Sequence, residues 1–216
     1  MELNRDMKMA GKVKLDTVIK SLEKRNMNGY YCETGKDAAQ KVLELIDEGS
    51  EVSWGGSATL DEIGVKDLLK NGSYNIIDAM EVREDREKTM ELRRRAMVCD
   101  VYLSSVNALT MDGEIVNIDG TGNCVAATIF GPEKVIFVVG VNKLVADISD
   151  AEDRIKTEAC PPNSIRLGKK TPCAVTGKCA DCLSPGNTIC SFTAVTRFSP
   201  DKDRIHVVLV NEVLGF

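Results

Sequence analysis

Residues 135–141, VIFVVGV, are the stretch on which the fold turns. This longest apolar run is far below the roughly 20 residues a membrane-crossing helix needs, so it reads as a buried strand. Working outward from it, strand-like and helix-like segments keep exchanging. Upstream come a short strand near Tyr30-Tyr31-Cys32, a helix over 37–48, a strand over 51–54, a helix over 59–70, a strand over 74–77, a helix over 85–97, strands over 99–104 and 114–118, and a short helix over 124–130. Downstream come a helix over 150–159, closed by Pro161 and Pro162, and strands over 191–196 and 204–210. Such alternation argues for an α/β protein with a mostly parallel sheet covered by helices on both faces.

With 216 residues the chain can bury roughly 70% of the surface its unfolded form exposes. It needs no disulfides to fold. The net charge of -5 gives no basic field for nucleic acid, and no apolar run is long enough for a membrane. The first residues, MELNRDMKMAGKVKLD, lack the continuous apolar core of an export signal, so a cytoplasmic protein is expected. The organisation predicted is an N-terminal helical segment, 1–50, packing on a main α/β domain, 51–216, whose segment 160–190 is an aperiodic loop rich in Gly, Pro, Ser, Lys and Cys.

Three patterns can carry chemistry. In SWGGSATLDEIG, 53–64, Gly55 and Gly56 allow close backbone approach, Ser57 and Thr59 can donate hydrogen bonds, and the dipole of the helix that follows favours an anion. The same residues also fit a capping box, in which Thr59 and Glu62 only satisfy the first helical amides. In TMDGEIVNIDGTGN, 110–123, Asp112-Gly113 is a hairpin turn signal, and Asp119, Gly120, Gly122 and Asn123 form a second glycine-rich strand-to-helix turn. That turn is either a neighbouring anion site or a plain left-handed turn with Asn123 as helix cap. Lys143, just past the apolar strand, could add positive charge, although a lone surface lysine usually does nothing specific.

The third pattern is PCAVTGKCADCLSPGNTIC, 172–190. Its thiols Cys173, Cys179, Cys182 and Cys190 have the character of ligands for a zinc ion or an iron–sulfur cluster, stapling a loop without a core of its own. Free or reversibly oxidised thiols, or disulfides, are the alternatives. Cys99 reads as core. Cys124, at a helix start, has a dipole that could lower its pKa. His206, the only histidine, sits in an expected strand and reads as structural.

With these residues in view, the chain resembles the LUD-domain family of lactate-utilisation proteins. The resemblance runs from the N-terminal helices to the terminal VLGF. It is carried by GGSATLDEIG, TMDGEIVNIDGTGN, FGPEKVIFVVGVNK, and the segment from Arg154 through ACPPN to the cysteines. It implies a three-layer α/β/α fold similar to glucosamine-phosphate deaminases, ribose-phosphate isomerases and coenzyme A transferases. It further implies a role beside iron–sulfur partner proteins in oxidising L-lactate to pyruvate. Two positions depart from the pattern: Cys124 stands where relatives often carry arginine, and Asn107 where sugar-phosphate isomerases place an acid. An amide cannot act as general base at neutral pH.

The leading expectation is therefore a lactate-utilisation component with an anion-binding cleft and a metal-binding cysteine loop. Its expected partners are a small anion, iron–sulfur proteins and further copies of the chain. An isomerase, hydrolase or coenzyme A transferase acting on a phosphorylated or CoA-like substrate in the same cleft is the rival, and a regulatory ligand-binding module the third class.

Overall fold

The computed structural model describes residues 4–216, so the first three residues of the expected N-terminal helix lie outside the description. The centre is a six-stranded, fully parallel sheet in the order β1-β10-β7-β4-β2-β3. Its strands are β1 (Asn28–Cys32), β2 (Glu51–Trp54), β3 (Asn75–Ile77), β4 (Val101–Ser104), β7 (Lys134–Gly140) and β10 (Ile205–Val210). The VIFVVGV strand lies inside the sheet between β10 and β4. Its side chains alternate between two cores, as a strand's must. Ile136 and Val138 pack with Leu60, Val65, Leu69, Ala38 and Val42, which come from α2 (Gly35–Glu44), α3 (Ala58–Glu62) and α4 (Val65–Lys70). Val135, Phe137 and Val139 pack with Leu15, Val18 and Leu22 of α1 (Arg5–Lys24). Each of these buried Val, Leu, Ile and Phe side chains contributes roughly 1.5–3 kcal/mol relative to exposure.

Beside α1, the second face carries something the alternation did not predict. Four strands, β8 (Leu144–Val145), β5 (Ala108–Thr110), β6 (Ile115–Asp119) and β9 (Phe192–Thr196), make a separate sheet in the order β8-β5-β6-β9. The β5–β6 hairpin turns at Asp112-Gly113, with Gly113 at φ +83°, as the turn signal required. Leu109 and Ile115 fill the same core as Phe137. β6 therefore belongs to this small sheet and not to the parallel one.

Two helices also differ from expectation. The expected 59–70 helix is split into α3 and α4 by Gly64, whose φ of +70° is left-handed. The 150–159 helix does not stop at its prolines. It runs as α7 (Ile148–Arg154), one wide π turn (Ile155–Ala159) and α8 (Cys160–Arg166). The wide turn, in which Cys160 N donates to Ile155 O, places Pro161 and Pro162 in the first turn of α8, where their missing N–H groups cost nothing. A further short helix, α9 (Pro172–Thr176), lies in the cysteine-rich stretch. The outer helix α5 (Arg86–Arg95) and the helix after the second glycine turn, α6 (Asn123–Ile129), complete the flank near Tyr102. No helix among the described residues is long and apolar enough to cross a membrane.

Candidate functional site

In a parallel α/β sheet, ligands gather beyond the carboxyl ends of the strands where neighbouring connections leave in opposite directions. Here that point lies between β2, whose chain proceeds to β3, and β4, whose chain proceeds toward β7. The loop after β2 is the first glycine turn, 55–57, and the loop after β4 begins with Ser105. Lys143, from the loop after β7, reaches between them. Its Nζ donates to Thr59 Oγ1 at 2.9 Å and to Ser105 Oγ at 3.0 Å. Only 2% of Lys143 is exposed, so the expectation of a surface lysine is corrected. Burial pushes its ammonium from the ordinary 10.5 down to about 7. The nearby Arg154 guanidinium adds to the fall and Glu62 opposes it.

The Thr59–Glu62 capping box is not formed. Ser57 caps α3, accepting from Leu60 N at 3.3 Å, which frees Thr59 to accept from Lys143. Glu62 instead reaches the C-terminal residues, where its Oε2 accepts from Gly215 N at 2.7 Å. Leu214 N donates to Asn142 Oδ1 at 3.0 Å, and Gly215 has φ +55°. A Cβ on Gly215 would overlap Thr59 Oγ1 and stand 3.4 Å from Lys143 Nζ. The tail 214–216 therefore roofs the lysine, and only glycine fits at the closest approach.

The two glycine turns do lie side by side, since Cys124 at the start of α6 packs against Gly55. Their hollows are not equally open. A Cβ on Gly55 would meet Cys124 Sγ at 2.9 Å and Tyr102 Oη at 3.2 Å, so side chains already fill that space. Gly56 faces outward toward Arg166. In the second turn the helix amides are taken by the chain's own Asp119: Oδ2 accepts from Cys124 N at 2.8 Å and Val125 N at 3.1 Å, and Oδ1 from Thr121 N at 2.9 Å. Gly122, at φ +86°, is the cap residue and Asn123 the first helical residue, so the left-handed turn is present but Asn123 is not its cap. Gly120 packs on the Ile189 backbone and Gly122 on the Phe192 ring. For Cys124 the dipole does not win: burial, with Asp119 adding, pushes its thiol pKa up.

Open space remains on the outer side of the first turn. A cleft of about 300 Å³ is lined by Trp54, Gly56, Asp61, Lys66, Asp78 and Arg166, among others. Lys66 is paired with Asp61 at 2.7 Å, and Lys70 with Asp78 at 2.9 Å. Arg166 differs, because among the described residues its donors reach only the Asn163 and Gly56 oxygens, and its guanidinium lies 6.0 Å from the Phe216 ring centre. Thus Gly56, Thr59, Glu62 and Lys143 come together with residues the sequence did not single out: Ser105, Asn142, Arg166 and the tail. Asp119, Gly120, Gly122 and Asn123 serve the neighbouring turn's own closure.

The sequence profile of the LUD domain family matches residues 15–210. The chain belongs to the LUD domain family. At the level of the family it is a lactate-utilisation-type protein. Among solved structures it is similar to a DUF162 family protein from Deinococcus radiodurans, at 11% identity and a TM-score of 0.53, covering 93% of this chain and 98% of that one. Weaker likenesses are to the tetrameric eIF2B-beta2-delta2 complex from C. thermophilum (15% identity, TM-score 0.42, 81% of this chain and 55% of that chain) and to ribose 5 phosphate isomerase A from Neisseria gonorrhoeae (13%, 0.35, 62% and 65%). None of the curated proteins matches the chain.

In this LUD domain the expected ligand set Cys173, Cys179, Cys182 and Cys190 is not gathered. Among the described residues no group of three or more His, Cys, Asp or Glu side chains is placed to hold a metal ion. Cys173 Sγ is in contact with Thr171 Oγ1 at 3.2 Å and Ser164 Oγ at 3.7 Å, and Cys179 Sγ accepts from Asp181 N at 3.5 Å. The close thiol pair is Cys190 with Cys160, 3.4 Å apart. Their contact holds the Cys190 thiol below its ordinary range while Cys160 is pushed far up. Cys160 was missed because its neighbours are helical. The ACPPN motif that contains it was the available signal. His206 is structural as expected, its ring stacked on Tyr30 and held by the Tyr30 hydroxyl at 2.9 Å and Asp203 O at 2.8 Å.

Proposed function

We propose that this LUD-domain chain is a binding component of L-lactate utilisation, receiving a small carboxylate of the lactate and pyruvate class in the crevice between the β2 and β4 loops. The redox chemistry then falls to iron–sulfur partner proteins. One observation carries this reading: Lys143 is a buried amine whose Nζ is held by two hydroxyls and, among the described residues, by no carboxylate. A buried charge is stable only when paired, and hydroxyls orient an ammonium without neutralising it. A ligand carboxylate supplies the missing charge. Because an anion beside Lys143 raises an amine pKa that stands at about 7, ligand uptake at neutral pH brings a proton with it. Arg166, at the mouth of the adjoining cleft and without a carboxylate partner among the described residues, adds positive potential on the approach.

Calorimetric titration with L-lactate, pyruvate and inorganic phosphate, across pH 6 to 9 and in buffers of different ionisation enthalpy, tests this. Expected are carboxylate binding with net proton uptake near neutrality, affinity falling as pH rises beyond the Lys143 range, and loss of binding in Lys143→Met. Carboxylate binding that ignores pH or survives Lys143→Met overturns the assignment of the site. Phosphate binding at Lys143 without carboxylate binding replaces it with the reading as an enzyme of phosphorylated substrates.

A further inference from the structure

Cys160 and Cys190 are separated by 30 positions in the chain, and their sulfurs stand 3.4 Å apart. They differ in access: Cys160 is buried at the start of α8, whereas Cys190 is exposed just before β9. Both are set on fixed backbone. Cys160 belongs to a core cluster with Ala108, Val116, Ala151, Ile155 and Ile189, and Ile189 directly precedes Cys190. On the other side, Ser191 N donates to Asp119 O at 3.0 Å. Two thiols held in van der Waals contact need only a short approach to the roughly 2.05 Å of a disulfide.

We infer that Cys160 and Cys190 form a reversible dithiol–disulfide pair, with Cys190 the sulfur that exchanges with external disulfides and Cys160 the sulfur that resolves the adduct. The chemistry balances with a low-molecular-weight disulfide as oxidant. The Cys190 thiolate attacks one sulfur of that disulfide, giving a mixed disulfide and releasing one small thiolate. Cys160 then loses its proton and attacks Cys190 Sγ, forming the internal bond and expelling the second small thiolate. The protein's thiols lose two electrons and two protons, and the small disulfide becomes two thiols. The order of events follows from access, because only Cys190 can be reached from solvent.

The bond would close the whole segment from α8 through α9 to β9 into one loop, which restricts the unfolded chain and so stabilises the folded one. It would also tie together two elements that contact the glycine turns. Arg166, on α8, reaches Gly56 O, and Ile189 packs on Gly120 in the second glycine turn. The inference is independent of the ligand proposed at Lys143.

The full chain, purified reduced and then equilibrated with glutathione and oxidised glutathione, is quenched by alkylation and mapped by peptide mass spectrometry. The expected wild-type product is a peptide pair linked through Cys160 and Cys190, with a melting temperature higher by several degrees than that of the reduced protein. Cys160→Ser should accumulate the glutathione adduct on Cys190, and Cys190→Ser should leave Cys160 unmodified. Cys179→Ser and Cys182→Ser should leave the bond unchanged. A principal bond between Cys179 and Cys182, or adducts elsewhere with Cys160 and Cys190 unbonded, overturns the inference. So does stoichiometric zinc or iron in the untreated protein that protects both thiols until it is chelated.

Discussion

Lys143 and Arg154 are two buried cations placed beside the same loops, and the chain treats them differently. Arg154 Nε donates to Asn142 O at 3.1 Å and its Nη1 to Asn107 O, while Glu158 lies 3.8 Å away. Those donors hold the loop after β4 against the loop after β7. Among the described residues Lys143 Nζ meets only hydroxyls, and each hydroxyl has an acceptor of its own: Ser105 donates to Val138 O at 2.6 Å, and Thr59 is within 3.5 Å of Leu214 O. A planar guanidinium spent on carbonyls is a structural clamp. An amine held by groups that do not depend on it is available for exchange.

The largest effect expected from this contrast is at Arg154. Arg154→Met leaves two loop carbonyls without donors in a buried setting and should cost about 3–5 kcal/mol in urea unfolding. A loss below about 1 kcal/mol would mean that Arg154 is no clamp and that the contrast with Lys143 fails.

Lys143→Met should go the other way. The ammonium, ordinarily at 10.5, stands at about 7 in the folded chain because burial disfavours its charge. Between those values the unfolded chain holds a proton the folded chain has released, so stability rises with pH across that window. Below about 7 both states hold the proton and the full penalty applies. At pH 6 the substitution should therefore stabilise by about 1–3 kcal/mol, part of the burial penalty being offset by lost hydrogen bonds. It should also flatten the rise between pH 7 and 10. An unchanged slope in the variant would place the titration on another group.

Gly215→Ala probes the roof over Lys143. The added methyl overlaps Thr59 Oγ1, and φ +55° disfavours any side chain, so the tail should leave its seat at a cost of about 1–2 kcal/mol. With the roof lifted, acylation of Lys143 by an amine-reactive reagent should speed up severalfold by peptide mapping, and Arg154 should remain seated. A labelling rate equal to wild type would show that the tail does not control access.

How much of this was legible in the sequence depended on the range of the interactions involved. The apolar VIFVVGV run and the strand–helix alternation carry the parallel sheet, because burial on two faces and local periodicity write themselves into neighbouring residues. The small sheet did not show, because β6 meets β9 across a long stretch of chain and either strand alone looks the same in any sheet. The glycine turns were visible, and so was their nearness. Who fills them was not: Cys124 and Tyr102 reach Gly55 from elements far along the chain, and Glu62 gives up its local cap for Gly215. Lys143 looked like a surface residue because burial of a long side chain depends on the roof that folds over it. The cysteine spacing named the thiol-rich stretch but not the partner of Cys190, which comes from the helix on the other side of α9.

The smallest of these effects concerns Asp119, the anionic counterpart of Arg154. Its carboxylate is committed to the amides of Thr121, Cys124 and Val125, so it should behave as closed structure despite lying in the motif most suggestive of a ligand. Asp119→Ala should lower stability by about 1 kcal/mol, the usual worth of a capping side chain. It should leave both the pH slope set by Lys143 and the L-lactate titration as in wild type. An equal drop in stability with a tenfold or greater change in carboxylate affinity would extend the ligand site into the second turn. Asp119 would then join Lys143 on the open side of the comparison, because a carboxylate at that turn could repel an incoming acid only if the acid came close to it.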